Sequence, residues 1–268
     1  MTAEAASKTI LITNDDGIAA PGLVALRSSL ASLGRVEVFA PDRNWSAASR
    51  TRTFHKPLRV DRVPLLDGSV GYATSGTPSD CVSLALLGLL DRKPDLIVSG
   101  INAGLNLGRD VSYSGTVAAA MEGVRMGIPS VAVSYDTVRA PSDELDYSPA
   151  AQFVKRLASY LLQTEPLPPG ILLNVNVPYA PAGRPLRVRM TRLGGEAYSN
   201  YLVTGKDPHG REYYWVTGDP LTVDEEDGTD LGATAAGYVS ITPIHLDMTE
   251  YSLLEKLKLW EDRFEERG

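Results

Sequence analysis

Short apolar runs alternate with helical periodicities along the first two thirds of the chain. Ile10, Leu11 and Ile12 form a β-branched, apolar run after MTAEAAS, the pattern of a buried strand in a parallel sheet. The run stops at Thr13, Asn14, Asp15, Asp16 and Gly17. Apolar residues then recur at helical spacing over residues 23–33, with Pro21 near the start and Gly34 as a stop. Residues 36–40, VEVFA, read as a second strand ending at Pro41, and the strand, helix, strand order predicts a right-handed βαβ unit. The polar, aperiodic residues 42–53 are a loop at the same sheet end as NDDG. Residues 55–71 predict short strands or a hairpin turning at Asp67-Gly68. Gly76-Thr77-Pro78 leads into a buried helix, SDCVSLALLGLL, capped by Ser79. Residues 95–99 form a third buried strand closed by Gly100. They are followed by GINAGLNLGRDVSYSGT, a loop too long for a plain connection. An Ala-rich helix, TVAAAMEGVRMG, a strand over 129–134, an amphipathic helix over Ser148–Gln163 and a strand over Ile171–Val177 complete this pattern.

From Pro178 onward the chain carries more Pro, Gly, Tyr and charge. LRVRMTRL, REYYWVTG and GYVSITPI read as strands of a hairpin or extension rather than of the parallel core. Residues 249–268 predict a charged amphipathic helix with Leu253, Leu254, Leu257 and Trp260 on one face. The expected organisation is an α/β core over residues 1–177, with residues 178–268 as an extension of the same domain. Such an arm is suited to gripping a second subunit.

A hydrophobic share of 43% and a charged share of 22% are those of a soluble globule. The net charge of −7 argues against binding to nucleic acid polymers, which requires a basic face. It leaves small phosphorylated substrates open, because a metal supplies local positive charge. The single cysteine, Cys81, permits no internal disulfide and opens an apolar run, so it reads as a small hydrophobe in a reducing compartment. No apolar run approaches membrane-spanning length, and the expected location is the cytoplasm.

If the first three strands are parallel, three loops meet at one sheet edge: NDDG, PDRNWSAAS and SGINAGLNLGRDVSYSGT. They bring together the carboxylates of Asp15 and Asp16, the hydroxyls of Ser46 and Ser49, and the amides of Asn102 and Asn106. Two adjacent carboxylates repel unless a cation relieves them. A donor set rich in oxygen and without Cys or His suits magnesium, manganese or calcium. Asn, Asp and Gly are equally ordinary turn residues, and a serine hydroxyl is equally a cap. Ser114, Gly115 and Thr116 open a helix whose free N–H groups and dipole suit an anion, or serve as a routine cap. A cation site beside an anion site is what a phosphoester hydrolase requires. His55, His209 and His245 show no paired spacing and read as structural or exposed. Arg43, Arg50 and Arg52 could steer a phosphate or simply be solvated. Tyr198, Tyr201, Tyr213, Tyr214 and Trp215 fit base stacking, core or dimer contacts alike.

The segments ILITNDDGIAAPGL, APDRNWSAAS, YATSGTPSDCVSLAL, DLIVSGINAGLNLGRDVSYSGTVAAAMEG and GYVSITPIHLDMT, in this order, resemble the SurE family of stationary-phase survival nucleotidases. The resemblance implies a Rossmann-like three-layer α/β sandwich with a mostly parallel sheet. It also implies a C-terminal extension exchanged in a homodimer, or a homotetramer as a dimer of dimers. The implied activity is that of a divalent-metal-dependent phosphomonoesterase on 5′- and 3′-nucleoside monophosphates, with short polyphosphate as a further substrate. Carried onto this chain, the family's ligands for one Mg2+ or Mn2+ per subunit fall on Asp15, Asp16, Ser46 and Asn102. Its phosphate turn falls on Ser114, Gly115 and Thr116, with Asn106 in the Asn-rich loop, and Asp15, Asp16 and Asn102 are the catalytic set. The stretch RTRTFHKP follows the pattern least closely.

Metal-assisted hydrolysis is the expected mechanism, with either aspartate as general base. An aspartyl-phosphate route usually uses an Asp-x-Asp spacing, which the adjacent pair lacks. A non-catalytic nucleotide-binding module is the rival reading, although NDDGIAAPG carries no G-x-G-x-x-G fingerprint.

Overall fold

A computed structural model of the chain describes residues 7–141, 145–164, 167–180, 185–221 and 228–264. In chain order the strands are β1 (Thr9–Thr13), β2 (Arg35–Pro41), β3 (Val60–Pro64), β4 (Val70–Thr74), β5 (Leu96–Ala103), β6 (Ser130–Tyr135), β7 (Ile171–Val177), β8 (Arg187–Met190), β9 (Tyr198–Lys206), β10 (Glu212–Pro220) and β11 (Tyr238–His245). Nine of them form one sheet in the order β3-β4-β2-β1-β5-β6-β7-β11-β8. From β4 to β7 every neighbouring pair is parallel. β3 closes one edge as the antiparallel hairpin partner of β4, turning around Asp67 and Gly68 as the sequence predicts.

The main helices are α1 (Pro21–Leu30), α2 (Pro78–Leu84), α3 (Gly115–Arg125), α4 (Ser148–Gln163) and α5 (Asp230–Ala235). Because strand side chains alternate between faces, each buried strand feeds two cores. Ile10, Ile12, Val38, Val98 and Val133 pack on one face with Leu23, Leu26 and Leu30 of α1 and Phe153 and Val154 of α4. Leu11, Phe39 and Ile97 pack on the other with Cys81 and Val82 of α2 and Ala119 of α3. Helices on both faces of a mostly parallel sheet make the three-layer, Rossmann-like α/β sandwich that was expected. Cys81 lies in this core with its thiol pushed up to about 12 by burial, the behaviour of a small hydrophobe.

Three expectations change. The cap of α2 is Thr77 rather than Ser79. Its hydroxyl accepts from the Asp80 N–H and the Asp80 carboxylate accepts from the Thr77 N–H, with Pro78 in the first turn. Two segments assigned to the extension belong to the main sheet: β11 pairs antiparallel with β7, and β8 pairs with β11. The sheet therefore runs across the boundary drawn at residue 177. Only REYYWVTG forms the separate hairpin, as part of β10 against β9. The terminal helix is broken into α6 (Tyr251–Leu257), a 3-10 turn and α7 (Glu261–Phe264), with residues 265–268 outside the described set.

Candidate active site

β2, β1 and β5 are sheet neighbours running in one direction, so the loops that follow them emerge side by side. At the end of β1 the fully buried Asn14 shapes the turn. Its amide donates to the Gly17 carbonyl at 2.9 Å and its oxygen accepts the Gly17 N–H at 3.2 Å. The turn chemistry of NDDG is thus supplied by Asn14, and neither aspartate carboxylate takes part in those two bonds.

Asp15 is buried and points toward α3. The Thr116 hydroxyl donates to its Oδ1 at 2.6 Å, and Gly115 lies against it so closely that a Cβ there would sit 2.8 Å from the Asp15 Cβ. Asp16 turns toward β5 and the loop after β2. Its Oδ2 accepts the Ala103 N–H at 3.2 Å and its Oδ1 faces the Asn44 amide at 3.5 Å. Asn44 in turn accepts the Ser46 N–H at 2.7 Å, and the Trp45 N–H donates to the Asp15 carbonyl at 2.7 Å, which brings the exposed Ser46 to this corner.

Asn102 is placed by an irregularity in β5, where the chain advances three positions from Ser99 to Asn102 against two, Ala132 to Ser134, on β6. Such a bulge re-aims the side chain that follows it. Gly100 makes it possible: its φ is +137° and a Cβ would lie 2.3 Å from the Val133 carbonyl oxygen. The Asn102 amide nitrogen donates to the Gly104 carbonyl at 2.8 Å, which leaves its oxygen as the end able to meet a cation.

The electrostatics favour a cation. Burial, and then the neighbouring Asp16 charge, push the Asp15 carboxyl up from 3.8 to about 6, although the Thr116 hydroxyl and N–H oppose the rise. Burial also raises Asp16. Among the described residues no Lys, Arg or His pairs with either carboxylate, and no three Asp, Glu, His or Cys side chains gather as a metal site. Two uncompensated carboxylates completed by hydroxyl and amide oxygens fit a hard divalent cation such as Mg2+ or Mn2+. At the other side of Asp15, Ser114 caps α3 by accepting the Val117 N–H at 3.1 Å. Its hydroxyl proton stays available to an anion at this helix N-terminus.

A family profile described as "Survival protein SurE" matches residues 10–200. The chain belongs to the SurE family. It is 51% identical over 255 residues to a protein named "5'-nucleotidase SurE" of Herpetosiphon aurantiacus, covering 94% of this chain and 99% of that one. It is 49% identical to the protein of the same name in Chloroflexus aggregans, covering 94% and 98%. The crystal structure of the SurE protein from Aquifex aeolicus superposes with a TM-score of 0.81 at 40% identity, covering 95% of this chain and all of that one. The SurE-derived expectations place Asp15, Asp16, Asn102, Ser114, Gly115 and Thr116 at one corner of the sheet, and the contacts above bring them there together with the Ser46 loop.

Thr116 and Asn106, both expected in the site, do work that the pattern alone does not show. Thr116 spends its hydroxyl on Asp15. Asn106 is the hub of its loop: its amide nitrogen donates to the Ser134 hydroxyl at 2.8 Å and its N–H to Asn176 Oδ1 at 2.8 Å, while its carbonyl accepts from Asn174 and Asn176 at 2.9 and 3.0 Å. Asn174 and Asn176 escaped the sequence reading. Their signal is visible in ILLNVNV, where two amides two residues apart share one face of a buried strand. Glu122 escaped it too. Almost fully buried on α3, it accepts from the Ser83 hydroxyl and the Arg125 guanidinium, and Arg52 lies 3.9 Å away. Together with the Thr53 N–H bond to Asp80 at 3.1 Å, this pins the far end of the Ser46 loop. Arg52 is therefore structural. His55, His209 and His245 are exposed, as expected, and the aromatic residues singled out on β9 and β10 are exposed on the hairpin.

Proposed function

We propose that this chain is a divalent-metal-dependent phosphomonoesterase that hydrolyses 5′- and 3′-nucleoside monophosphates, with short polyphosphate as a secondary substrate. The names of the SurE relatives support the 5′-nucleotidase activity. The observation that carries the reading is the juxtaposition of two carboxylates lacking any described cation with the N-terminus of α3, joined by the 2.6 Å Thr116–Asp15 bond. Asp15, Asp16, Ser46 and Asn102 would hold one Mg2+ or Mn2+. When bound, that ion supplies Lewis-acid polarisation of a phosphoryl oxygen and acidifies water. Gly115 lets the first turn of α3 approach the same point, and its N–H together with the Ser114 hydroxyl receives the charge that develops on the phosphoryl oxygens. Thr116 holds Asp15 in register, and Asn106 with its Asn174 and Asn176 partners keeps the loop from collapsing into the site.

The same reading places the protein in the cytoplasm and gives it a second copy as partner. Tyr201, Trp215 and Val216 on the hairpin and Leu253, Trp260 and Phe264 in the C-terminal segment are all exposed in a single chain. Apolar surface of this kind supports a homodimer or homotetramer. The test is phosphate release from 5′-AMP, 3′-AMP and a chromogenic phosphomonoester with Mn2+ or Mg2+, then with chelator, beside Asp16→Asn. Metal-dependent release lost in the variant is expected. Tight nucleotide binding by folded protein without release under any metal would replace the enzyme by a binding module.

A further inference from the structure

Asp230 is completely buried at the start of α5, yet it does not serve that helix as its cap. Thr229 does so by accepting the Gly232 N–H at 3.1 Å. The Asp230 carboxylate reaches out of the helix instead. Its Oδ2 accepts the Gly108 N–H at 2.8 Å, and its Oδ1 accepts the Gly194 N–H at 2.8 Å and the Leu231 N–H at 3.0 Å. No described cation pairs with it, so its stabilisation falls to backbone N–H groups, and burial still outweighs them and raises the carboxyl above its ordinary value.

The two outer partners belong to segments far apart in the chain. Gly194 precedes the β9–β10 hairpin. Gly108 opens the 3-10 turn Gly108–Tyr113, which runs directly into Ser114 and the first turn of α3. The two backbones touch: a Cβ on Gly108 would lie 2.1 Å from the Gly195 carbonyl oxygen, and the Arg109 N–H donates to that same oxygen at 3.1 Å. Upstream, Asn106 is fixed to β6 and β7 by the bonds described above. Downstream, the buried Val111 and the Ser114 N–H to Val111 carbonyl bond of 3.3 Å make the 3-10 turn a short, stiff connection. A displacement at Gly108 therefore reaches Ser114 with little to absorb it.

We infer that Asp230 is a positioning residue for the phosphate turn, its carboxylate bridging the β5–α3 loop to the root of the β9–β10 hairpin. Asp230 does not touch the reacting atoms; it acts through Gly108. The inference rests on the nucleotidase reading for the role of Ser114–Thr116, while the bridge itself stands on the hydrogen bonds alone.

Asp230→Asn keeps the volume and one acceptor oxygen but turns an NH2 group against either the Gly108 N–H or the paired N–H groups of Gly194 and Leu231. Expected is a kcat/KM for 5′-AMP lowered about tenfold or more, with KM raised as well as kcat lowered, because the displaced turn loses its hold on the phosphate both in the bound substrate and as charge develops on it. Amide exchange in residues 104–116 and 194–197 should quicken about tenfold while β1, β5 and β6 keep their protection. Should Asp230→Asn fail to accumulate as folded protein, Gly108→Ala forces the same joint apart from the other side and carries the same expectations. Unchanged KM and local exchange would overturn the inference. So would a fall in apparent kcat alone with uniformly faster exchange, which is what general destabilisation produces. If the wild type releases no phosphate at all, the nucleotidase reading fails, and the exchange pattern still decides the bridge.

Discussion

Replacing Asp15 with Asn should make the metal-free protein more stable while abolishing its activity. In the absence of a cation the Asp15 carboxyl is pushed from 3.8 to about 6, chiefly by burial. The folded state thus binds its proton more tightly than the unfolded chain does. Above pH of about 6 the ionised group opposes folding, and each pKa unit is about 1.4 kcal/mol, so the rise corresponds to roughly 3 kcal/mol. Asn is isosteric with the neutral acid and its oxygen still accepts from Thr116, so the variant should recover as much as that amount. For a chain of this size it appears as a melting temperature up to roughly 6–12 °C higher, since about 2–4 °C accompany each kcal/mol. The assay is thermal unfolding in chelator from about pH 8 down to about pH 4. The gap should be full at the alkaline end, shrink below about pH 6 and close near the unfolded value. Saturating Mn2+ should then raise the wild type by about 2.7 kcal/mol at a hundredfold excess over Kd and leave the variant unmoved. A variant no more stable than wild type at alkaline pH, or a gap independent of pH, would refute the reasoning. The pH-dependent gap is the stability cost that the proposed cation site predicts.

Gly115→Ala should lower kcat/KM by about a hundredfold, because a Cβ 2.8 Å from that of Asp15 forces the first turn of α3 away from the carboxylate; wild-type kinetics would show that the contact relaxes freely. Thr116→Val removes a bond that holds the Asp15 pKa down, so in chelator the loss of stability that accompanies Asp15 ionisation as pH rises should extend to higher pH, with about 1–2 kcal/mol lost besides from the buried hydrogen bond. Glu122→Gln should destabilise by about 1–3 kcal/mol at neutral pH. Burial works to raise Glu122, but the Arg125 and Ser83 hydrogen bonds outweigh it and hold the carboxyl below its usual value. Its contribution is therefore present above about pH 4.5 and lost as pH falls through the lower folded-state value, and denaturant unfolding should show the variant and wild type converging in acid.

Much of this molecule was legible where a feature depends on neighbours in sequence. The runs at Ile10–Ile12, 36–40 and 95–99 could hardly be other than buried strands, because a continuous apolar segment bounded by turn residues has to be covered on both faces. The turn at Asp67-Gly68, the helix Ser148–Gln163 and the acid pair after β1 follow from the same local chemistry. Even the gathering of three loops at one edge follows once β1, β2 and β5 are taken as parallel. What stayed hidden depends on partners distant in the chain. Nothing local distinguishes β8 and β11, which join the sheet, from β10, which leaves it, since pairing depends on which edge is free once β7 is in place. The cap expected at Ser79 falls on Thr77 instead, whose hydroxyl also donates to the Thr51 carbonyl while Asp80 accepts the Thr53 N–H. Thr116 reads as an anion-binding hydroxyl until the fold sets Asp15 2.6 Å from it. Asp230 carries no signal in the sequence, and its role appears only when Gly108 and Gly194 arrive from distant segments to donate to its two oxygens. Residue types and local period set the elements and the chemistry available to the site; burial, and the hydrogen bonds that burial makes obligatory, assign each polar group its partner, and those partners come from anywhere in the chain.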